Sequence, residues 1–130
     1  MKGFKAISSD DKSMEDLSIT IDKQGRLCLN AGMRRELEAE DNKVSLYLFF
    51  DQRGRRIGLS KKSDDPNVQP FNFDARGYCS RAKSFLLRNE FDYKSGAIQL
   101  IFDEHIDGGY AFREKGSNYT LRQEKNGNLE

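Results

Sequence analysis

Leu17, Ile19 and Ile21 alternate with Ser18, Thr20 and Asp22, the period-two pattern of a strand with one buried face. Lys23-Gln24-Gly25 has turn chemistry, with Gly25 suited to a positive φ, and Leu27 and Leu29 resume the alternation beyond it. Asn30 is a good N-cap for a short helix, in which Met33 and Leu37 stand four apart and face a core. Lys43–Asp51 begins as an alternating strand and ends solidly apolar at Leu48-Phe49-Phe50. Gln52-Arg53-Gly54-Arg55-Arg56 predicts a tight turn, and Ile57-Gly58-Leu59 an antiparallel return. Lys61-Lys62-Ser63-Asp64-Asp65-Pro66-Asn67 reads as linker.

The pattern then starts again. Phe71-Asn72-Phe73-Asp74 repeats Ile19-Thr20-Ile21-Asp22 at a shift of 52 residues, and the same shift places Gly25 on Gly77 and Met33 on Phe85. It also places Leu46 on Ile98, and Leu48-Phe49-Phe50-Asp51 on Leu100-Ile101-Phe102-Asp103. One extra residue in the second hairpin turn, Glu104 to Gly109, aligns Ile57 with Tyr110 and Leu59 with Phe112. The chain thus divides into a flexible arm (1–16, with Phe4 and Ile7 able to tack it down), a first unit (17–62), a linker (63–68), a second unit (69–114) and a polar tail (115–130). Each unit predicts strand, turn, strand, short helix and hairpin, a mainly β fold with short helices. One such unit of about 50 residues buries too little surface to be stable alone. Two sharing a core make a covalent pseudo-dimer with approximate two-fold symmetry.

Composition narrows the chemistry. The chain has 130 residues, with 22 Lys plus Arg against 21 Asp plus Glu and a net charge of +1. It is not a polybasic coat, so any anion-binding face must come from local segregation of charge. Cys28 and Cys79 have no CxxC or Cys/His companion, which argues against structural zinc and for reduced thiols. With a single His, no phosphate-cradling Gly-rich loop and no nucleophile–His pairing, neither catalysis nor a cofactor is expected. No apolar run approaches the roughly 18 residues of a membrane span. The expectation is a soluble cytoplasmic protein.

The candidate chemistry lies in the arginines. Arg34 and Arg35 face away from Met33 and Leu37, and Arg26 sits on the turn before their helix. Three such forks can converge on phosphates or guanine edges; the competing reading pairs Arg34 and Arg35 with Glu36, Glu38 or Glu40 on a solvated face. Arg53, Arg55 and Arg56 surround Gly54, with Lys61 and Lys62 downstream: a basic hairpin tip, or charge that solvates a turn and guards an edge. In the second unit Ser80 is a plausible N-cap for a helix from Arg81 to Arg88. Arg81, Ser84 and Arg88 would share one face, joined by Arg76 and Lys83. Asp103-Glu104-His105 with Asp107 fits no metal-ligand spacing and reads as turn solvation, and Tyr110 and Phe112 read as core.

Gly25-Arg26-Leu27-Cys28-Leu29, Met33-Arg34-Arg35-Glu36-Leu37 and Val44-Ser45-Leu46-Tyr47 together resemble the SpoVT/AbrB family of swapped-hairpin transcription regulators. The likeness is to tandem, MraZ-like members that carry both copies in one chain. It implies a small β-barrel made by two internal repeats that interlock their hairpins. It further implies double-stranded DNA as partner and regulation of transcription as function. The implied contacts are Arg26, Arg34 and Arg35, with Arg53, Arg55, Arg81, Lys83 and Arg88 as further cations. The second copy has Asn30's counterpart at Ala82, Tyr78 in place of the motif's Arg, and Leu86-Leu87 in place of the Arg pair. This gives the first copy the larger share of a DNA face. It also keeps open an alternative: a protein-interaction or inhibitor module on the same fold, with a partner in the transcription or replication machinery. Further association into homo-oligomers is compatible with either.

Overall fold

The structure is a computed structural model that describes residues 16–116. The expected arm with Phe4 and Ile7, and the tail past Gly116, lie outside the described residues. Strands β1 (Ser18–Ile21) and β2 (Leu27–Leu29) lead into helix α1 (Ala31–Glu36). The hairpin β3 (Val44–Asp51) and β4 (Arg56–Ser60) follows. Strands β5 (Phe71–Phe73) and β6 (Tyr78–Cys79) then lead into helix α2 (Lys83–Arg88), a 3-10 turn at Tyr93–Ser95, and the hairpin β7 (Ile98–Ile106) and β8 (Gly109–Glu114).

All the strands belong to one antiparallel sheet, ordered β5-β3-β4-β8-β7-β1-β2-β6. Its two end strands, β5 and β6, touch, so the sheet nearly closes into a barrel. Strand pairing crosses the linker repeatedly. β1 lies against β7 (Ile19 opposite Leu100, Ile21 opposite Ile98), and β5 lies against β3 (Phe73 opposite Val44, Phe71 opposite Leu46). β4 pairs with β8, and β2 with β6. The residues that alternate inward, among them Ile19, Ile21, Leu46, Ile57, Leu100 and Phe112, are at most 1% exposed and fill one interior. Their period-two spacing is what allows a narrow barrel to fill without voids. Among the described residues no helix is long and apolar enough to cross a membrane.

The turns repeat in hydrogen bonds as well as in residues. The Gly25 N–H donates to the Asp22 carbonyl at 2.9 Å, and the Gly77 N–H to the Asp74 carbonyl at 2.8 Å. The Arg26 and Tyr78 N–H groups donate to the Oδ1 atoms of Asp22 and Asp74 at 2.9 and 3.0 Å. Gly25 and Gly77 take φ of 80° and 85°, the left-handed region that glycine enters without steric cost. Each helix ends alike, with Glu38 (φ 59°) and Glu90 (φ 63°) left-handed and the next N–H, of Ala39 or Phe91, bonded back to Arg34 or Leu86.

Two features depart from the sequence reading. Seven residues separate α1 from β3 but nine separate α2 from β7, the 3-10 turn lying in the longer connection. Val44 therefore occupies, against Phe73, the place that Ile98 occupies against Ile21. Strands β3 and β7 correspond at 54 residues, not 52, and fully buried Leu46 matches fully buried Leu100, whereas β4 and β8 keep the expected match of Ile57 with Tyr110 and Leu59 with Phe112. The second helix also starts late. Its N-cap is Ala82, without a capping side-chain bond, whereas Ser80 is exposed and lies outside the helix. Burial of Ala82 fixes the approach to the helix more strongly than a hydroxyl cap would. Arg81 consequently precedes α2 and shares no helical face with Ser84 and Arg88. The first helix keeps its expected cap: Asn30 Oδ1 accepts the Met33 N–H at 2.8 Å and the Ser18 N–H at 3.3 Å, tying α1 to β1.

Candidate nucleic-acid interface

The β2–β6 seam brings the two turns side by side, with Cys28 opposite Tyr78. Each turn is covered by the helix of the other half. A methyl group at Gly77 would come within 2.8 Å of Arg34 Cδ, so the stem of this α1 residue crosses the second turn. A methyl group at Gly25 would come within 2.9 Å of Lys83 Cγ, so this α2 residue crosses the first. The Arg26 guanidinium stands 4.8 Å from the centre of the Tyr78 ring, and that of Arg76 stands 5.1 Å from it. Four cationic side chains from both halves thus border the seam, Arg26 and Arg34 from the first and Arg76 and Lys83 from the second, with Arg34 Nη1 also donating to the Glu40 carbonyl at 3.5 Å. Stacking on an aromatic face fixes a guanidinium plane while leaving its edge free to donate.

Charge within the seam is partly balanced. Asp22 Oδ2 accepts from Arg26 Nε at 2.6 Å, which holds the guanidinium cationic above its ordinary value and orients it. Among the described residues only Nε is used, which leaves the terminal nitrogens for another acceptor. Burial acts to raise the Asp22 carboxyl, but the Arg26 N–H, the Arg26 side chain and the Gln24 N–H outweigh it and hold the group low. The Tyr78 and Arg76 N–H groups hold Asp74 low likewise, against a smaller opposing effect of burial. A carboxyl depressed in the folded state adds stability above its unfolded value and loses it as pH falls through the folded one. Unfolding midpoints are therefore expected to drop below about pH 4. Asp74→Asn, which keeps the accepting oxygen, should flatten that decline; denaturant curves from pH 2 to 5 check it. Burial pushes the outward Cys28 thiol up to about 11, so it stays protonated and unreactive.

The other candidate cations divide. Arg35 pairs with Glu40 at 3.3 Å and does not join Arg26. Arg55 does not form part of a basic tip. Its Nη2 donates to the Asn89 and Glu90 carbonyls at 3.0 and 3.3 Å, closing the C-terminus of α2, and its guanidinium lies 4.7 Å from the Phe91 ring centre. Arg56 is 8% exposed and ion-paired to Asp51, Asp103 and Glu104. Asp103 and Glu104 therefore clasp a buried guanidinium where the sequence suggested turn solvation. Arg53, Arg81 and Arg88 are exposed; Arg81 lies just before α2, and Arg88 is its last residue, at the opposite end from Lys83. Tyr110 is only half-buried, its hydroxyl donating to Glu36 Oε2 at 2.8 Å, while Phe112 is core. Among the described residues no cluster of His, Cys, Asp and Glu could hold a metal.

The pairing of Tyr78 with two arginines escaped the sequence reading, which treated Tyr78 only as a missing Arg. The available signal was Arg76, two residues away and 50 residues past Arg26. No family model, curated protein or solved structure matches this chain.

Proposed function

We propose that this protein is an AbrB-like DNA-binding transcription regulator, a swapped-hairpin pseudo-dimer that lays its β2–β6 seam on a duplex. The observation that carries the reading is the convergence of Arg26, Arg34, Arg76 and Lys83, from both halves, around Gly25, Gly77 and Tyr78. Four cations on one face of a chain with net charge +1 are the local segregation that phosphate binding requires. Exposed Arg81, two residues before Lys83, adds a further cation near that face. Crossed pairing of β1 with β7 and of β5 with β3 supports the swapped-hairpin part of the reading. Phosphate contacts supply affinity, and the stacked guanidiniums read base edges or groove width.

A salt titration against random-sequence duplex tests this. Neutralising about four phosphates gives a log–log slope of about −3 to −4. Absence of binding at low salt would sink the proposal. It would favour the second reading, a protein-interaction module on the same fold. The observation favouring that reading is that Arg35, Arg55 and Arg56 are engaged within the chain.

A further inference from the structure

Away from the seam, the outer face of β3, β4 and β8 carries an open depression of about 530 Å³. Its floor exists because the two central strands have almost no side chain there. Gly58 lies opposite Phe49 on one side and Ala111 on the other, and Gly109 follows toward the β7–β8 turn. Phe49 and Ile106 form its apolar walls and remain 46% and 42% exposed, unusual for large apolar side chains gathered about one hollow. The rim is acidic. Asp64, Asp65 and Asp107 are exposed, Lys62 is the one exposed cation among the described lining residues, and the charge of Arg56 is already met by Asp51, Asp103 and Glu104.

We propose that this groove docks a partner protein through an extended segment in which an apolar or aromatic residue is flanked by Lys or Arg. The apolar side chain lies over Gly58 between Phe49 and Ile106, and the flanking cations meet Asp64, Asp65 and Asp107. An anion such as nucleic acid is repelled by the same rim, so the groove and the seam take partners of opposite charge. β3, β4 and β8 already have strand neighbours on both sides. The segment therefore lies across the sheet face and does not add a strand to it.

The test is selection from a random peptide display library on the full chain, with affinities of the selected peptides then measured by fluorescence polarisation. Selected peptides should combine Lys or Arg with a central aromatic or aliphatic residue. They should bind at least tenfold more weakly to Ala111→Phe, which fills the floor. Asp64→Lys with Asp65→Lys, both at exposed positions, should weaken them at least tenfold without unfolding the protein. A photo-crosslinker replacing Phe49 should capture the peptide. Equal binding by these variants, acidic or neutral selected peptides, or a library that yields none would overturn the proposal. So would crosslinking of position 49 to a second copy or to the chain's own residues. Duplex binding should not fall in any of the three variants, which separates this proposal from the reading of the seam.

Discussion

Cleaving the chain between Asp65 and Pro66 is expected to leave the two pieces bound together, and neither piece is expected to fold as a monomer when separated. The cut falls in an exposed segment with no strand of its own, so the sheet survives it. The pieces cannot part without loss, because β1 takes its ladder from β7 and β5 takes its ladder from β3. An isolated first piece would keep the β1–β2 and β3–β4 pairs but would expose Ile19, Ile21, Leu46 and Ile57, all at most 1% exposed in the whole chain. Each large side chain so uncovered forfeits about 1.5–3 kcal/mol, and a domain of marginal stability cannot absorb several such losses. Circular dichroism of each fragment at micromolar concentration, alone and mixed, is the check. Recovery of the β spectrum only on mixing is expected, and a cooperative unfolding transition in either monomeric fragment would refute the dependence of each piece on the other's strands.

Arg56→Ala is expected to lower the unfolding free energy by about 3 kcal/mol, the lower end of the range for breaking a buried ion pair. Arg56 Nε donates to Asp51 Oδ2 at 2.8 Å, and Nη1 donates to Asp103 Oδ2 at 2.8 Å and to Glu104 Oε2 at 2.5 Å. The guanidinium thus joins the β3–β4 hairpin to β7 where a bulge between Phe102 and Glu104 interrupts the β7–β8 ladder. Without it Asp51 and Glu104 lose their cation, and Asp103 is left with Arg113, at 3.3 Å. Glu104 and Asp51 reach solvent, which moderates the cost and places it below that of a fully enclosed pair. Adding Asp51→Asn to Arg56→Ala should recover part of the loss, since it removes a carboxylate that has lost its cation, whereas Asp103 keeps Arg113. Denaturant midpoints for the two variants read this directly; an Arg56→Ala change within 0.5 kcal/mol, the size typical of a surface site, would mean that the cluster is merely surface charge.

Much of the barrel was legible in the sequence because strands with one wet face must alternate. Ile19 and Ile21, Leu27 and Leu29, and the Asn30 cap all depend on neighbours within a few residues, and each falls where its local chemistry puts it. Ser80 failed as a cap because local preference competed with burial of Ala82, a tertiary effect. The offset in the second hairpin was hidden because Leu-Ile-Phe-Asp matches Leu-Phe-Phe-Asp so well at 52 residues, whereas the ladder obeys the length of the preceding connection. The arginines were the least legible. Whether one faces solvent, caps a helix or meets a carboxylate 47 residues away, as Arg56 meets Asp103, is decided by strand order, which local patterning does not carry. Tyr78 belongs to the same class, since its two guanidinium neighbours come from adjacent turns of different halves.

The most direct measurement is duplex affinity after charge reversal in each half of the seam. Arg26→Glu lies in the first half and Arg76→Glu in the second. Both side chains stand beside Tyr78, and Arg76 is exposed. If the seam is the binding face, each change should weaken binding by at least tenfold, about 1.4 kcal/mol, and Arg53→Glu at the β3–β4 tip should leave affinity within twofold. Binding lost with Arg53→Glu but retained with Arg26→Glu and Arg76→Glu would contradict the assignment.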